Sequence, residues 1–278
     1  MHVRAVASWC RKYEAASLIS EGKAGFLLVG ETMVETVKQQ IHEQIRIVQE
    51  RIAQAAQRVG RRPEEVRLIA VTKTHPVEFV VAALEAGITD IGENRVQEAV
   101  AKFGALRLTP IAQQVKPRFH LIGHLQTNKA KLAVEWFHLI HSLDSTKLAD
   151  ELEKHAATRG RMCEVLIQVN VSGEETKFGI EPVQVRSLVE HILQECPHLV
   201  VRGFMTMAPF EAIAEATRPH FRKLRELRDS LLQQFCGCER FLAHELSMGM
   251  TNDYEVAIEE GATMVRIGSA IFGVRAAH

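Results

Sequence analysis

Lys73 closes the apolar run Leu68-Ile-Ala-Val-Thr72, and His75-Pro76 stops whatever element that run forms. A short, β-branched, apolar stretch ended by proline reads as a strand buried on both faces, with Lys73 at its carboxyl end. An ammonium there takes a carboxylate partner or loses basicity through desolvation. An amine of lowered pKa is the nucleophile that forms a Schiff base with a carbonyl. The plainer reading is a lysine whose stem snorkels out of the strand end as a guard against aggregation. On this stretch alone the plainer reading prevails.

Other segments change the balance. Ser247-Met-Gly-Met-Thr-Asn-Asp253 is a glycine-containing loop running into a helical pattern, and Gly268-Ser269 follows another apolar run. Hydroxyls on Ser247, Thr251 and Ser269, with backbone N–H groups that glycine lets approach closely, suit a phosphate. Capping of the next helix by Thr251 or Asn252 explains the same residues without a ligand. A lysine on one side and a phosphate site on the other suggest a phosphorylated aldehyde spanning the two. Arg266 lies inside the otherwise apolar Val265-Arg-Ile267. An ion pair with Glu93 or Asp253 accounts for it. As a ligand group it is the partner of a pyridine nitrogen. It would keep its own proton, so the ring would be a poor electron sink while a Schiff base stayed intact.

Asn94 and His124 read either as satisfied strand-end polar groups or as contacts to the ring, Asn94 to its oxygen and His124 at its border. Tyr254, early in a helical pattern, reads as packing. Lys177 is the rival amine, in a polar loop whose acidic neighbours favour its protonated form.

These residues need a scaffold that gathers strand ends. Strand-like runs cover 68–73, 90–94, 118–125, 138–143, 163–171, 200–207, 243–248 and 264–268. Helical patterns lie between them near 77–86, 95–104, 127–136, 146–159, 182–195, 212–235 and 253–261. Strands alternating with helices of this length mean βαβ units and a parallel sheet, and eight strands close a (β/α)₈ barrel. Before them, Val37, Ile41, Ile45, Val48, Ile52, Ala55 and Val59 define one amphipathic helix over 34–59. That helix is expected to cover the barrel where no helix follows the eighth strand. An open doubly wound sheet is disfavoured because no G-x-G-x-x-G follows the first strand. Chemistry in a barrel sits at the carboxyl ends of the strands. Here those ends supply a lysine, an arginine, amides and hydroxyls, without the paired carboxylates or metal-ligand cluster of a hydrolase.

Composition excludes several classes. The 278 residues carry 34 basic and 34 acidic side chains, so neither nucleic acid nor an anionic membrane is the expected partner. No apolar run reaches transmembrane length. Five cysteines, with Cys236-Gly-Cys238 lacking a second ligand pair, suggest free thiols in a reducing, cytoplasmic setting. Residues 1–32 read as a tail, disordered or an over-long start, and residues 33–278 as the barrel domain.

The motifs Ala70-Val-Thr-Lys-Thr74, Gly92-Glu-Asn-Arg-Val-Gln-Glu98, His120-Leu-Ile-Gly-His-Leu-Gln-Thr-Asn-Lys129, Gln168-Val-Asn-Val-Ser172 with Lys177-Phe-Gly179, Arg202-Gly-Phe-Met-Thr-Met207, Leu246-Ser-Met-Gly-Met250 with Asp253, and Val265-Arg-Ile-Gly-Ser-Ala-Ile-Phe-Gly273 closely resemble one family. It is the pyridoxal phosphate homeostasis proteins, related to the N-terminal barrel of alanine racemase. The resemblance implies a single (β/α)₈ barrel binding pyridoxal 5′-phosphate as an aldimine on Lys73. It implies Asn94, His124 and Met248 as cofactor contacts, Arg266 facing the pyridine nitrogen, and Ser247, Thr251, Gly268 and Ser269 around the phosphate. Thr251 stands where the family usually has serine and keeps the hydroxyl. The function implied is intracellular cofactor homeostasis without a committed reaction, with apo-enzymes that use the cofactor as partners and a monomeric state expected. The alternative is a small racemase-type enzyme drawing its second base from within the barrel.

Overall fold

The computed structural model describes residues 23–174 and 177–273, with side chains from residue 35 onward. Helix α1 (Lys23–Arg58) leads into strand β1 (Arg67–Val71). There follow α2 (Val77–Glu85), β2 (Asp90–Glu93), α3 (Val96–Leu106), α4 (Pro110–Val115), β3 (Arg118–Leu121), α5 (Ala130–Trp136), β4 (Leu139–Leu143) and α6 (Thr146–Thr158). The chain continues with β5 (Cys163–Gln168), α7 (Val185–Glu195), β6 (Leu199–Met205), α8 (Arg218–Gln234), β7 (Phe241–Ser247), α9 (Tyr254–Glu259), β8 (Met264–Ile267) and α10 (Ser269–Phe272). The eight parallel strands pair in chain order, and β8 returns to β1 to close the barrel.

Strand alternation divides the core in two. Leu68, Ala70, Val265 and Ile267 point outward and pack under the helices, while Ile69, Leu139, Leu166, Met205 and Met264 fill the interior. With a side-chain period of two, Met264 facing in puts Arg266 on the interior face as well. The same parity brings His141, two residues after Leu139, into the barrel.

Helix α1 buries Ile41, Ile45, Val48, Ile52, Ala55 and Ala56 against α2, α9 and α10, and Arg58 pairs with Glu255 at 2.9 Å and Glu259 at 2.7 Å on α9. The expected cover over the barrel is therefore present, and it braces the two elements that follow β7 and β8. Several boundaries differ from the sequence reading. Helix α1 begins at Lys23 instead of Val34 and so takes in residues 23–32; residues 1–22 lie outside the described part. The eighth strand does have a helix after it, the four-residue α10. Helix α4 was not anticipated, although Thr109 caps it and Pro110 opens it. The expected helices at 127, 182 and 212 open instead as 3₁₀ turns, Thr127–Lys129, Pro182–Gln184 and Ala214–Thr217. Among the described residues no helix is long and apolar enough to cross a membrane.

Candidate functional site

A cavity of about 600 Å³ opens at the carboxyl ends of the strands. Of the residues singled out from sequence, Lys73, Asn94, His124, Thr251, Arg266, Gly268 and Ser269 all line it. Ser247 and Met248 do not. Ser247 is fully buried and bonded to Arg266, while Met248 packs in the core between strands and helices.

Lys73 is carried by a turn that neighbouring elements grip at Thr72. The Thr72 N–H donates to Gly92 O at 3.1 Å and its hydroxyl to Glu93 Oε1 at 2.7 Å. Lys102, on α3, donates to Thr72 O at 2.6 Å and is ion-paired with the same Glu93 oxygen. Glu93 is fully buried, and its Oε2 lacks a hydrogen-bond partner. One residue beyond Lys73, Thr74 adopts φ +65°, a left-handed conformation that costs a β-branched residue free energy and persists only where the surroundings enforce it.

Arg266 is buried at 4% exposure, and among the described residues it has no ion-pair partner. The rival reading, an ion pair with Glu93 or Asp253, is not formed: Glu93 is taken by Lys102, and Asp253 Oδ1 accepts the Met250 N–H at 2.6 Å. Arg266 instead donates from NH1 to Ser247 Oγ at 2.6 Å and from NH2 to Thr206 O at 2.8 Å. Burial pulls its pKa down to about 10, against the partial support of the Asp253 charge, so it stays a cation near neutrality.

Ser247 passes the chain on. Its Oγ lies 2.9 Å from His141 Nδ1, His141 Nε2 lies 3.0 Å from His120 Nδ1, and His120 Nε2 lies 2.8 Å from Asp90 Oδ1. The Asp90 carboxylate only accepts, so His120 donates from Nε2, and with both imidazoles neutral every bond behind it runs the same way, while the Ser247 oxygen also accepts from Arg266. Ser247 donates to His141, His141 to His120, and His120 to Asp90. Both imidazoles then carry their single proton on Nε2, the neutral forms that burial favours by pushing both pKa values down. Burial works against the Asp90 carboxylate, but the bond from His120 and the neighbouring Thr89 and Arg118 more than offset it and hold it below the usual range.

The other wall is built by the turns after β7 and β8. The Ser269 hydroxyl lies 3.1 Å from Thr251 Oγ1. Position 249 requires glycine: its φ is +93°, and a Cβ there would stand 2.6 Å from the Ala257 Cβ. The N-cap of α9 falls on Asp253, without a side-chain cap, so Thr251 and Asn252 are not spent on capping. Burial pushes the Asp253 carboxyl up.

On the near rim, the His124 ring stacks on Phe178 with centroids 4.2 Å apart, and its Nδ1 lies 3.6 Å from Asp144. A side chain at Gly123 would meet Asn94 O at 2.3 Å, so the backbones after β2 and β3 touch beside Asn94. Lys177 is outside the cavity lining and 3.5 Å from Glu174. Tyr254 is buried, as the packing reading required, with its hydroxyl unpartnered. Sequence reasoning missed Gln168, Phe178 and the segment 207–211, all of which line the cavity. It also missed the buried histidine pair, for which a histidine at an inward position on adjacent strands was the available signal.

A family model described as alanine racemase, N-terminal domain, matches residues 14–276. The chain is 46% identical over 233 residues to the pyridoxal phosphate homeostasis protein of Aquifex aeolicus, covering 84% of this chain and 97% of that one. It belongs to the pyridoxal phosphate homeostasis protein family. The human pyridoxal phosphate homeostasis protein is 37% identical over 242 residues, covering 83% of this chain and 85% of its own. Among solved structures, PipY of Synechococcus elongatus with PLP bound superposes with a TM-score of 0.70 at 36% identity, over 84% of this chain and all of that one. Alanine racemase from Bacillus anthracis, 19% identical with a TM-score of 0.59 over 86% of this chain and 57% of that one, shares the barrel fold with this family member.

Proposed function

We propose that this chain binds pyridoxal 5′-phosphate in the cavity at the strand ends, covalently through Lys73, and serves in handling the cofactor without a committed reaction. The observation that carries the reading is the meeting, in one cavity, of a lysine on a gripped turn, a buried arginine cation and a pair of hydroxyls. The volume lies in the ordinary range for small-molecule sites. The residues fit the group: a cation able only to donate suits an unprotonated ring nitrogen, and hydroxyls with open glycine backbone suit a phosphate. When bound, the cofactor supplies an aldehyde that condenses reversibly with amines.

Each residue then has a stated task. Lys73 provides the amine, and the bonds at Thr72 fix its approach. Arg266 donates toward the ring nitrogen and keeps its own proton. Thr251, Gly268 and Ser269 hold the phosphate, and Ser247 acts one step behind, by aiming Arg266. Asn94 and His124 border the ring, with Phe178 limiting the freedom of His124. The family's name and the PLP-bound relative support the reading.

Borohydride reduction of protein loaded with pyridoxal phosphate, followed by peptide mapping, tests it. A pyridoxyl adduct on Lys73 is expected. An adduct on another lysine, or none, overturns the covalent assignment. Lys73→Ala should be colourless with an unchanged circular dichroism spectrum, because Lys73 lies beyond the last residue of β1.

A further inference from the structure

On the outside of the barrel, away from the cavity, Asp150 on α6, His191 on α7 and Cys196 at the end of α7 place a carboxylate, an imidazole and a thiol together, with donor atoms all within 4.8 Å of one another. His191 Nε2 lies 2.6 Å from Asp150 Oδ1, and Cys196 Sγ lies 3.9 Å from the same oxygen. We propose that these three side chains form a binding site for a thiophilic divalent cation of the zinc type. With metal–ligand bonds of about 2.0 Å to N and O and about 2.3 Å to S, two ligands on a tetrahedral ion stand roughly 3.3 to 3.5 Å apart. The Asp150–His191 contact must widen by less than about 1 Å, and the Cys196–Asp150 separation close by about half that.

The ligand positions are held in advance. Arg240 donates to Leu193 O at 2.6 Å and to Cys196 O at 2.8 Å, fastening the turn that ends α7. From the other side, Glu153 accepts the His198 N–H at 2.8 Å, tying the residues just after Cys196 to α6. Asp150 and Glu153 stand one turn apart on α6, so both carboxylates face this turn. The Asp150 and Glu153 carboxylates gather negative charge beside the turn that carries Cys196, which a resident cation would relieve. Cys196 is fully covered by the protein, which argues against a nucleophile and is compatible with a ligand. Asp150 is exposed and His191 half-buried, leaving a coordination position for water on the solvent side. An imidazole, thiolate and carboxylate set suits Zn²⁺. As the ion enters, the thiol proton and any proton on His191 leave to solvent.

The test uses the full chain with Cys10, Cys236 and Cys238 replaced by serine, since exposed Cys236 and Cys238 would bind soft metals on their own. Chelator-stripped protein titrated with Co²⁺ should take up a single equivalent and show a thiolate-to-cobalt charge-transfer band. Zn²⁺ should displace the cobalt and raise Tm by mass action. Cys196→Ser should abolish the band. His191→Ala and Asp150→Asn should weaken binding by more than the roughly 10–100-fold that follows loss of an outer-shell partner. Absence of the band in the parent, or its survival in Cys196→Ser, overturns the proposal. So does full affinity in both His191→Ala and Asp150→Asn. Lys73→Ala should bind the metal unchanged, which separates this site from the cofactor cavity.

Discussion

Arg266 and Asp90 are joined through the barrel interior by an unbroken chain of hydrogen bonds over Ser247, His141 and His120. Arg266 lines the cavity at the carboxyl ends of the strands, and Asp90 borders a smaller one at their amino ends. The cation at the mouth is thus linked to the acid through neutral groups, and among the described residues no carboxylate is in contact with it. A contacting carboxylate would compete with a ligand for the guanidinium; a serine leaves donors available and still fixes the arginine's orientation.

Two buried neutral histidines make stability pH-dependent. Their folded pKa values lie below the ordinary 6.5, so the unfolded chain binds more protons as pH falls through 6.5. Stability is full above that value and lost below it, with a slope approaching about 1.4 kcal/mol per pH unit for each histidine. Asp90, held below the ordinary 3.8, continues the loss in the same direction at lower pH. Urea midpoints at about pH 7.5 and about pH 5.5 should differ clearly, and His141→Phe should show a shallower dependence from a lower starting stability. An unchanged slope in that variant would contradict the neutral assignment.

Ser247→Ala removes the joint of the chain. Arg266 NH1 and His141 Nδ1 both lose their partner in a buried setting, and each such loss costs about 1–3 kcal/mol. Denaturant unfolding should show a drop of about 2–5 kcal/mol. Pyridoxal phosphate affinity should also fall by roughly tenfold, although Ser247 does not line the cavity, because Arg266 is left with Thr206 O as its remaining anchor. A stable variant of full affinity would show that Arg266 does not depend on the chain.

The barrel and the place of Lys73 beside a strand end were legible because both are written locally. A β-branched run closed by Lys73 and proline says strand and strand end within nine residues, and the strand–helix alternation repeats that signal along the chain. Arg266 was conspicuous for the same reason, as one charge in an apolar run. Its true partners were not legible: Ser247 meets His141 across 106 positions and Arg266 meets Thr206 O across 60, and no short window carries such a pairing. The obvious acids, Glu93 and Asp253, were poor guesses because each has a nearer claimant. Phe178 escaped notice in a polar loop where only its stacking on His124 gives it a task.

The Glu93–Lys102 pair should prove coupled, with the turn of Lys73 as its reporter. Lys102→Met leaves the buried Glu93 with the Thr72 hydroxyl as its remaining donor, and breaking such a pair from one side costs about 3–5 kcal/mol. Glu93→Gln removes the charge but keeps an acceptor for Thr72 and Lys102. The double variant should be less destabilised than the sum of the single ones by at least about 1 kcal/mol in denaturant unfolding. In Lys102→Met the rate of cofactor capture by Lys73 should fall as well, since Lys102 also holds Thr72 O. Strict additivity would mean that the two charges do not depend on each other.

If Arg266 faces the ring nitrogen as proposed, it also decides what the loaded protein does with amino acids. Even lowered to about 10 by burial, its guanidinium is charged at neutral pH, and a ring nitrogen facing it has no proton to gain. Carbanion chemistry at the α-carbon is weakened when that nitrogen carries no proton to draw electrons away, and it needs a base placed to remove the proton. The carboxylate of Asp253 is engaged by the Met250 N–H, and His124 is held against Phe178 beside Asp144. The expected outcome in deuterated buffer is that L-alanine and other amino acids incorporate no α-deuterium beyond the rate of free pyridoxal phosphate. Proton NMR of the α-position checks it. Exchange at the roughly 1–1,000 per second of a dedicated enzyme, lost in Lys73→Ala, would make this chain a catalyst and would require a base that the mouth of the barrel hides in some other arrangement.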